Sequence, residues 1–180
     1  MKFIPSELPG VILVIPEMFS DERGYNWEVH HQEKFTRYGI SHQFIQDNQS
    51  TSRRTVLRGL HYSLEKPQGK LVRVVKGRIY DVAVDLRKSS PTFGKWVGYT
   101  LSSRNNHQLW IPPGFAHGFY TLSQWADVSY KNTELYSTDH SLLWCDPVVG
   151  VEWPLIDGLP PILSKKDANA VTLDKAEVFD

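Results

Sequence analysis

The chain has 180 residues, 41% hydrophobic and 22% charged, which is enough apolar material for one cored domain and too much for a disordered or fibrous protein. Twenty Lys and Arg balance twenty Asp and Glu, so no net basic field exists to hold a nucleic-acid backbone or an anionic membrane, although a local basic pocket can still take a phosphate. Cys145 is the single cysteine, which excludes an internal disulfide framework and fits a reducing compartment. The first apolar run, VILVI at 11–15, is too short for a signal-peptide core and has no basic flank before it, so a cytoplasmic protein is expected.

In chain order, the first element signal is HQEKFTRYG at 31–39, a short helical pattern that stops at Gly39. From residue 56 onward, runs rich in Val, Ile, Tyr and Trp recur between Gly, Pro, Asn and Ser clusters: VLRGLHY, KLVRVVKG, RIYDVAVDLR, KWVGYTLS, HQLWIPPG, HGFYTLS, ADVSYKNTEL and SLLWC. Such spacing predicts an all-β sandwich or barrel. Within IYDVAVDL, Tyr80, Val82, Val84 and Leu86 alternate with Ile79, Asp81, Ala83 and Asp85, the pattern of a strand that is wet on one side or faces a polar lumen. SKKDANAVTLDKA at 164–176 begins with a capping-box-like pair, Ser164 and Asp167, and predicts a second short helix. No repeat, low-complexity tract or linker interrupts the chain, so residues 1–180 read as one domain with peripheral helices.

Chemistry concentrates in QLWIPPGFAHGF. Pro112, Gly114 and His117 stand in the P-x-G-x-x-H spacing that resembles one half of the metal site of metal-binding cupins, which are double-stranded jelly rolls. In the matching GLHYSLEKPQGKLVRVVKG, His61 fills the first ligand place, Ser63 stands where a second His belongs, and Lys70 stands in the place of the Glu. Metal ligands must be neutral or anionic, and an ammonium repels a divalent ion, so this set predicts no metal. A positioned ammonium can instead stabilise a developing oxyanion, as a Lewis acid would, which suggests chemistry through an enolate.

The blocks VLRGLHY, PQGKLVRVVKGRIYDVAVDLRKSSPTFGKWVG, QLWIPPGFAHGF, YKNTELY, DPVVGVEWPL and LSKKDANA together resemble, in order and over nearly the whole chain, the dTDP-4-dehydrorhamnose 3,5-epimerases. The resemblance implies a cupin-type jelly-roll homodimer acting without metal or organic cofactor. The activity that the resemblance implies is inversion of C3 and C5 of dTDP-4-dehydro-6-deoxy-D-glucose to give dTDP-4-dehydro-L-rhamnose, a precursor in cell-surface polysaccharide biosynthesis. The resemblance also implies His61 as the base, Asp167 as its carboxylate partner, Lys70 as the holder of the enolate oxygen and Tyr130 as the proton donor on the opposite face, chiefly at C5. Arg23, Glu28, Gln46, Asn48, Arg58, His117, Tyr136 and Lys165 are the implied substrate-binding residues. RGYNWE places Asn26 where the family has an aromatic, so a thymine-stacking partner shifts to Tyr25 or Trp27 or is lost. The segment of about residues 1–50 is expected to be exchanged in a dimer, since FSDERGYNWE carries binding-type residues ahead of the barrel blocks.

Each residue alone has a plainer reading: Lys70 as an edge residue, Asp167 as a helix-start carboxylate, Tyr130 and Tyr136 as sheet aromatics, Arg23 with Glu28 as a surface pair. A single-carbon epimerase, a metal-dependent cupin enzyme and a non-catalytic sugar-nucleotide-binding barrel stay open at this point. Strict alternation puts Arg58 and His61 on opposite faces, and a bulge at Gly59 is expected to bring both toward the lumen.

Overall fold

A computed structural model describes residues 1–137 and 140–180. Its strands are β1 (Lys2–Pro5), β2 (Ile12–Ile15), β3 (Met18–Asp21), β4 (Gly24–Trp27), β5 (Gln46–Arg53), β6 (Leu57–Tyr62), β7 (Lys70–Lys76), β8 (Arg78–Asp85), β9 (Trp96–Ser102), β10 (Gln108–Ile111), β11 (Phe115–Thr121), β12 (Trp125–Asn132) and β13 (His140–Ser141). Two short helices, α1 (Gln32–Arg37) and α2 (Lys165–Ala168), are peripheral. One sheet runs β1-β2-β10-β7-β12-β5 and the other β13-β6-β11-β8-β9, all antiparallel, while β3 and β4 form a separate hairpin. Strands distant in sequence lie side by side, as β10 with β7 and β6 with β11, which is the jelly-roll arrangement the blocks implied.

The two sheets close on a shared core that includes Val72, Val74, Ile79, Leu109, Phe115 and Phe119. Burying such side chains contributes about 1.5–3 kcal/mol each. The alternation in β8 is real but neither of its faces is wet. Ile79 and Ala83 enter the inter-sheet core, while Val82, Val84 and Leu86 pack outward against Val149, Trp153, Leu173 and Phe179 of the C-terminal segment. That segment covers the outer face of the second sheet, whereas the inner face of β8 mixes Ile79 and Ala83 with the buried carboxylates Asp81 and Asp85. The outer face of the first sheet is covered in part by α1, whose Phe35 packs with Ile12, Val14, Leu71 and Trp110.

The helical expectations are met in part. Gln32–Arg37 ends before Gly39, whose φ of 88° is a left-handed stop that glycine adopts freely. The stretch 164–176 is helical only over Lys165–Ala168: Ser164 Oγ accepts the Asp167 N–H at 3.0 Å, as a cap should, but the chain then leaves the helix. The reason is competition, since Leu142 pairs with Val171 and the Leu173 N–H donates to Asp146 at 2.8 Å. No strand was expected before residue 56, yet β1 to β5 lie there. No helix among the described residues is long and apolar enough to cross a membrane.

Candidate active site

The site is built where the two sheets face each other. In the first sheet, Val72 belongs to the inter-sheet core, and residues directly opposite or two steps away share its face. Tyr130 stands opposite both Val72 and Asn48, and Lys70 opposite Asn132, which in turn stands opposite Gln46. Lys70, Tyr130, Asn132, Gln46 and Asn48 therefore line one wall of the lumen. Ala83 and Phe119 mark the inner face of the second sheet, and His117 and Asp81 share that face.

His61 joins them because β6 carries an extra residue. His61 stands opposite His117 and Arg58 opposite Phe119, so three steps along β6 answer two along β11. This is the expected bulge, and it turns Arg58 and His61 to the same side. Gly59 hosts it with φ 125°, and a Cβ there would meet Gly118 Cα at 2.5 Å and the His117 carbonyl oxygen at 2.8 Å. Only glycine fits a backbone approach this close.

The bulge also completes a carboxylate cage. His61 Nε2 lies 2.6 Å from Oδ1 of Asp167, whose side chain is 3% exposed while that of His61 is 27% exposed. Burial pushes the Asp167 carboxyl up, but hydrogen bonds from His61, Ser164 and the Gly59 backbone N–H, with the charge of the imidazole, outweigh it and hold the group below its ordinary value. An ionised carboxylate accepts, so Nε2–H donates, and Nδ1 is left as the basic ring nitrogen. A second pair sits beside it: His117 Nε2 lies 2.8 Å from Oδ1 of Asp81, which is wholly buried, and Asp81 Oδ2 has no partner among the described residues.

Lys70, His61, Ser63 and Gln68 line one small cavity of about 10 Å³, room for a single water. Ser63 is buried and its Oγ lies 2.6 Å from Oγ of Ser137. Among the described residues, no three His, Cys, Asp or Glu side chains gather as a metal-ligand set. Arg58 is held by its Nε donating to Ser52 Oγ at 2.9 Å and its Nη2 to the Thr51 carbonyl at 3.5 Å. Gln46 donates to Asn48 Oδ1 at 3.0 Å and accepts the Tyr136 N–H at 3.0 Å, and the Tyr136 ring is exposed beside them.

Three of the residues read from the sequence are not brought in. Arg23 and Glu28 belong to the β3–β4 hairpin and the turn after it, paired with Asp21 and Lys34 respectively and open to solvent. Lys165 is exposed at the start of α2. Sequence reading missed Asp81, Ser52, Asn132 and Gln68. For Asp81 a signal existed, since it shares its strand parity with Ile79 and Ala83, where a carboxylate must have a buried partner.

A chain with a caged His–Asp pair on one wall and a Lys–Tyr pair on the facing wall is equipped to take a proton from one face of a flat substrate and return one to the other. Comparison with known proteins agrees. The family model for dTDP-4-dehydrorhamnose 3,5-epimerase matches residues 5–175. The epimerase of that name from Methanothermobacter thermautotrophicus is 50% identical over 99% of this chain and 97% of its own, and that of Salmonella typhimurium is 50% identical over 98% and 97%. Among solved structures, the dTDP-6-deoxy-D-glucose-3,5-epimerase of Legionella pneumophila, in complex with dTDP-4-keto-L-rhamnose, superposes with a TM-score of 0.94 at 44% identity, covering 98% of this chain and 94% of that one. A 3'-monoepimerase of Streptomyces bikiniensis, in complex with dTDP-quinovose, gives 0.86 at 33% identity, covering 95% and 87%. The chain belongs to the dTDP-4-dehydrorhamnose 3,5-epimerase family.

Proposed function

We propose that this protein inverts C3 and C5 of dTDP-4-dehydro-6-deoxy-D-glucose, giving dTDP-4-dehydro-L-rhamnose. The observation that carries the reading is the opposition across the lumen: His61 on one sheet, backed by Asp167 of α2, and Tyr130 with Lys70 on the other. Both carbons lie α to the C4 ketone, so each inversion needs a base, an enolate stabiliser and an acid on opposite faces. His61 Nδ1 takes the C–H proton. The electron pair moves into the C4 carbonyl, and the Lys70 ammonium meets the charge on its oxygen. The Tyr130 hydroxyl then delivers a proton from the other side, chiefly at C5.

Arg58 and His117 supply charge and hydrogen bonds to the diphosphate and sugar, with Asp81 fixing the His117 tautomer as Asp167 fixes that of His61. Gln46, Asn48 and Tyr136 form the lip where the nucleoside lies. Arg23 and Glu28 reach a site only if a second copy lends its hairpin, and a homodimer with exchanged N-terminal segments is part of the reading. Two features support this. The strands β3 and β4 pair only with each other among the described residues, and Phe19 and Tyr25 on them are 63% and 72% exposed around a hollow of about 490 Å³. The single, exposed Cys145 supports a cytoplasmic setting.

The test is incubation with dTDP-4-dehydro-6-deoxy-D-glucose in D2O, following deuterium and configuration at C3 and C5 by NMR. Incorporation with inversion at both carbons is expected. Inversion at one carbon alone would replace the double reaction with a single-carbon one.

A further inference from the structure

Residues 133–137 leave β12 two positions beyond Tyr130 and form the lip over the lumen. Leu135 and Tyr136 are 50% and 66% exposed, so their side chains contribute little anchoring burial. Hydrogen bonds hold the backbone instead. The Gly69 N–H donates to Thr133 Oγ1 at 2.8 Å and the Thr133 N–H to the Gly69 carbonyl at 3.0 Å. Gln68 Nε2 donates to the Leu135 carbonyl at 2.9 Å, the Tyr136 N–H to Gln46 Oε1 at 3.0 Å, and the Ser63 and Ser137 hydroxyls lie 2.6 Å apart. Two side chains between β6 and β7 thus flank Tyr136, Ser63 at Ser137 and Gln68 at Leu135, and only Gln68 among them bonds the 133–137 backbone.

We infer that Gln68 is a positioning residue for nucleoside recognition: with Gln46 it presets the 133–137 backbone so that the Tyr136 ring stands ready to stack on the flat base of a nucleoside diphosphate. This rests on the reading of Tyr136 as a binding residue. A ring whose backbone is already fixed loses less freedom on stacking, so the tether appears in affinity rather than in the chemical step. Gln68 also lines the cavity shared by His61 and Lys70, and the alternative, a direct part in proton transfer, would appear in kcat.

The experiment compares Gln68→Met, Tyr136→Ala and the double variant. It measures dTDP affinity by calorimetry, KM and kcat with the keto-sugar, and melting temperature. Gln68→Met keeps the side-chain length and removes the donor. It should weaken dTDP binding about three- to tenfold, raise KM in step and leave kcat within about twofold, with melting unchanged. In the Tyr136→Ala background it should cost nothing further, because the two act as one unit. If Tyr136→Ala binds dTDP like wild type, the binding role of Tyr136 fails. If Tyr136→Ala weakens binding but Gln68→Met does not, or if the two losses multiply, or if Gln68→Met lowers kcat instead, the positioning role fails.

Discussion

An imidazole in water is a base of modest strength that can turn either nitrogen to its substrate. Asp167 removes that freedom for His61 by accepting from Nε2 at 2.6 Å, and Gly59 and Ser164 in turn hold Asp167 in place. The proposed base therefore depends on a carboxylate and on the two groups that hold it. His61→Asn should abolish deuterium exchange at both C3 and C5, since one base serves both; exchange persisting at either carbon would reveal a second base. Asp167→Asn keeps the imidazole but can hold it in the wrong tautomer, and a fall in kcat of about 10²-fold or more with dTDP affinity kept is expected from steady-state kinetics. Tyr130→Phe separates the half-reactions. The ring stays in the sheet between Val72 and Asn48, so binding survives and enolate formation continues. Product formation should fall about 10²- to 10⁴-fold beside residual solvent exchange, read by NMR in D2O. Inversion at the wild-type rate would make Tyr130 a packing residue.

At the scale of elements, the barrel is held by buried polar work as much as by apolar packing. Asp85 ends β8 wholly buried and accepts from Arg87, Ser90 and Thr92, at 2.6–2.8 Å for the shortest bond of each. Burial pushes its carboxyl up, but these bonds win and lower it to about 2. A carboxyl whose folded value lies below its unfolded 3.8 stabilises the protein fully above pH 3.8, and that contribution is lost as pH falls toward 2. It is worth about 2 kcal/mol, so Asp85→Asn should lower stability at pH 7 by at least that order and flatten the acid limb of a denaturation series between about pH 4 and 2. Gly59→Ala should cost about 2–4 kcal/mol and lose activity together, because the bulge sets both the packing against Gly118 and the direction of His61. How much could be read beforehand follows from the same physics. Strands whose two faces differ in polarity, such as β8, β9 and β11, announce themselves by composition. The strand β5, QDNQSTSR, does not: Asn48, Ser50 and Ser52 face a polar lumen and Asp47, Gln49 and Thr51 face outward, so no apolar period marks it. The His–Asp pairing in the site was legible only through family resemblance, since residues 61 and 167 meet through α2, whose short length is set by tertiary contacts and not by its helix-forming sequence.

At the scale of the whole molecule, the β3–β4 hairpin pairs with no other strand among the described residues. The Arg23 side chain is 86% exposed on that hairpin and, among the described residues, bonds only Asp21 beside it, while the proposed diphosphate-binding Arg58 stands on β6. A lone monomer would thus display Phe19 and Tyr25 to water, and in the proposed dimer reciprocal exchange would cover these rings and bring Arg23 and Glu28 to the partner's site. Reciprocity makes this testable without a structure of the pair. If each site combines His61 of one protomer with Arg23 of the other, then an inactive His61→Asn protein and an impaired Arg23→Glu protein rescue each other when unfolded together and refolded. A mixed dimer then owns one site with both native residues, and an equal mixture should recover roughly a quarter of the wild-type rate from statistical pairing. Arg23 acting within its own chain gives no such recovery, because every site in the mixture then lacks one of the two residues. Sedimentation of the wild-type protein sets the frame: a monomer with full activity would remove the exchange altogether, and the hairpin's exposed aromatics would then have to serve some other contact.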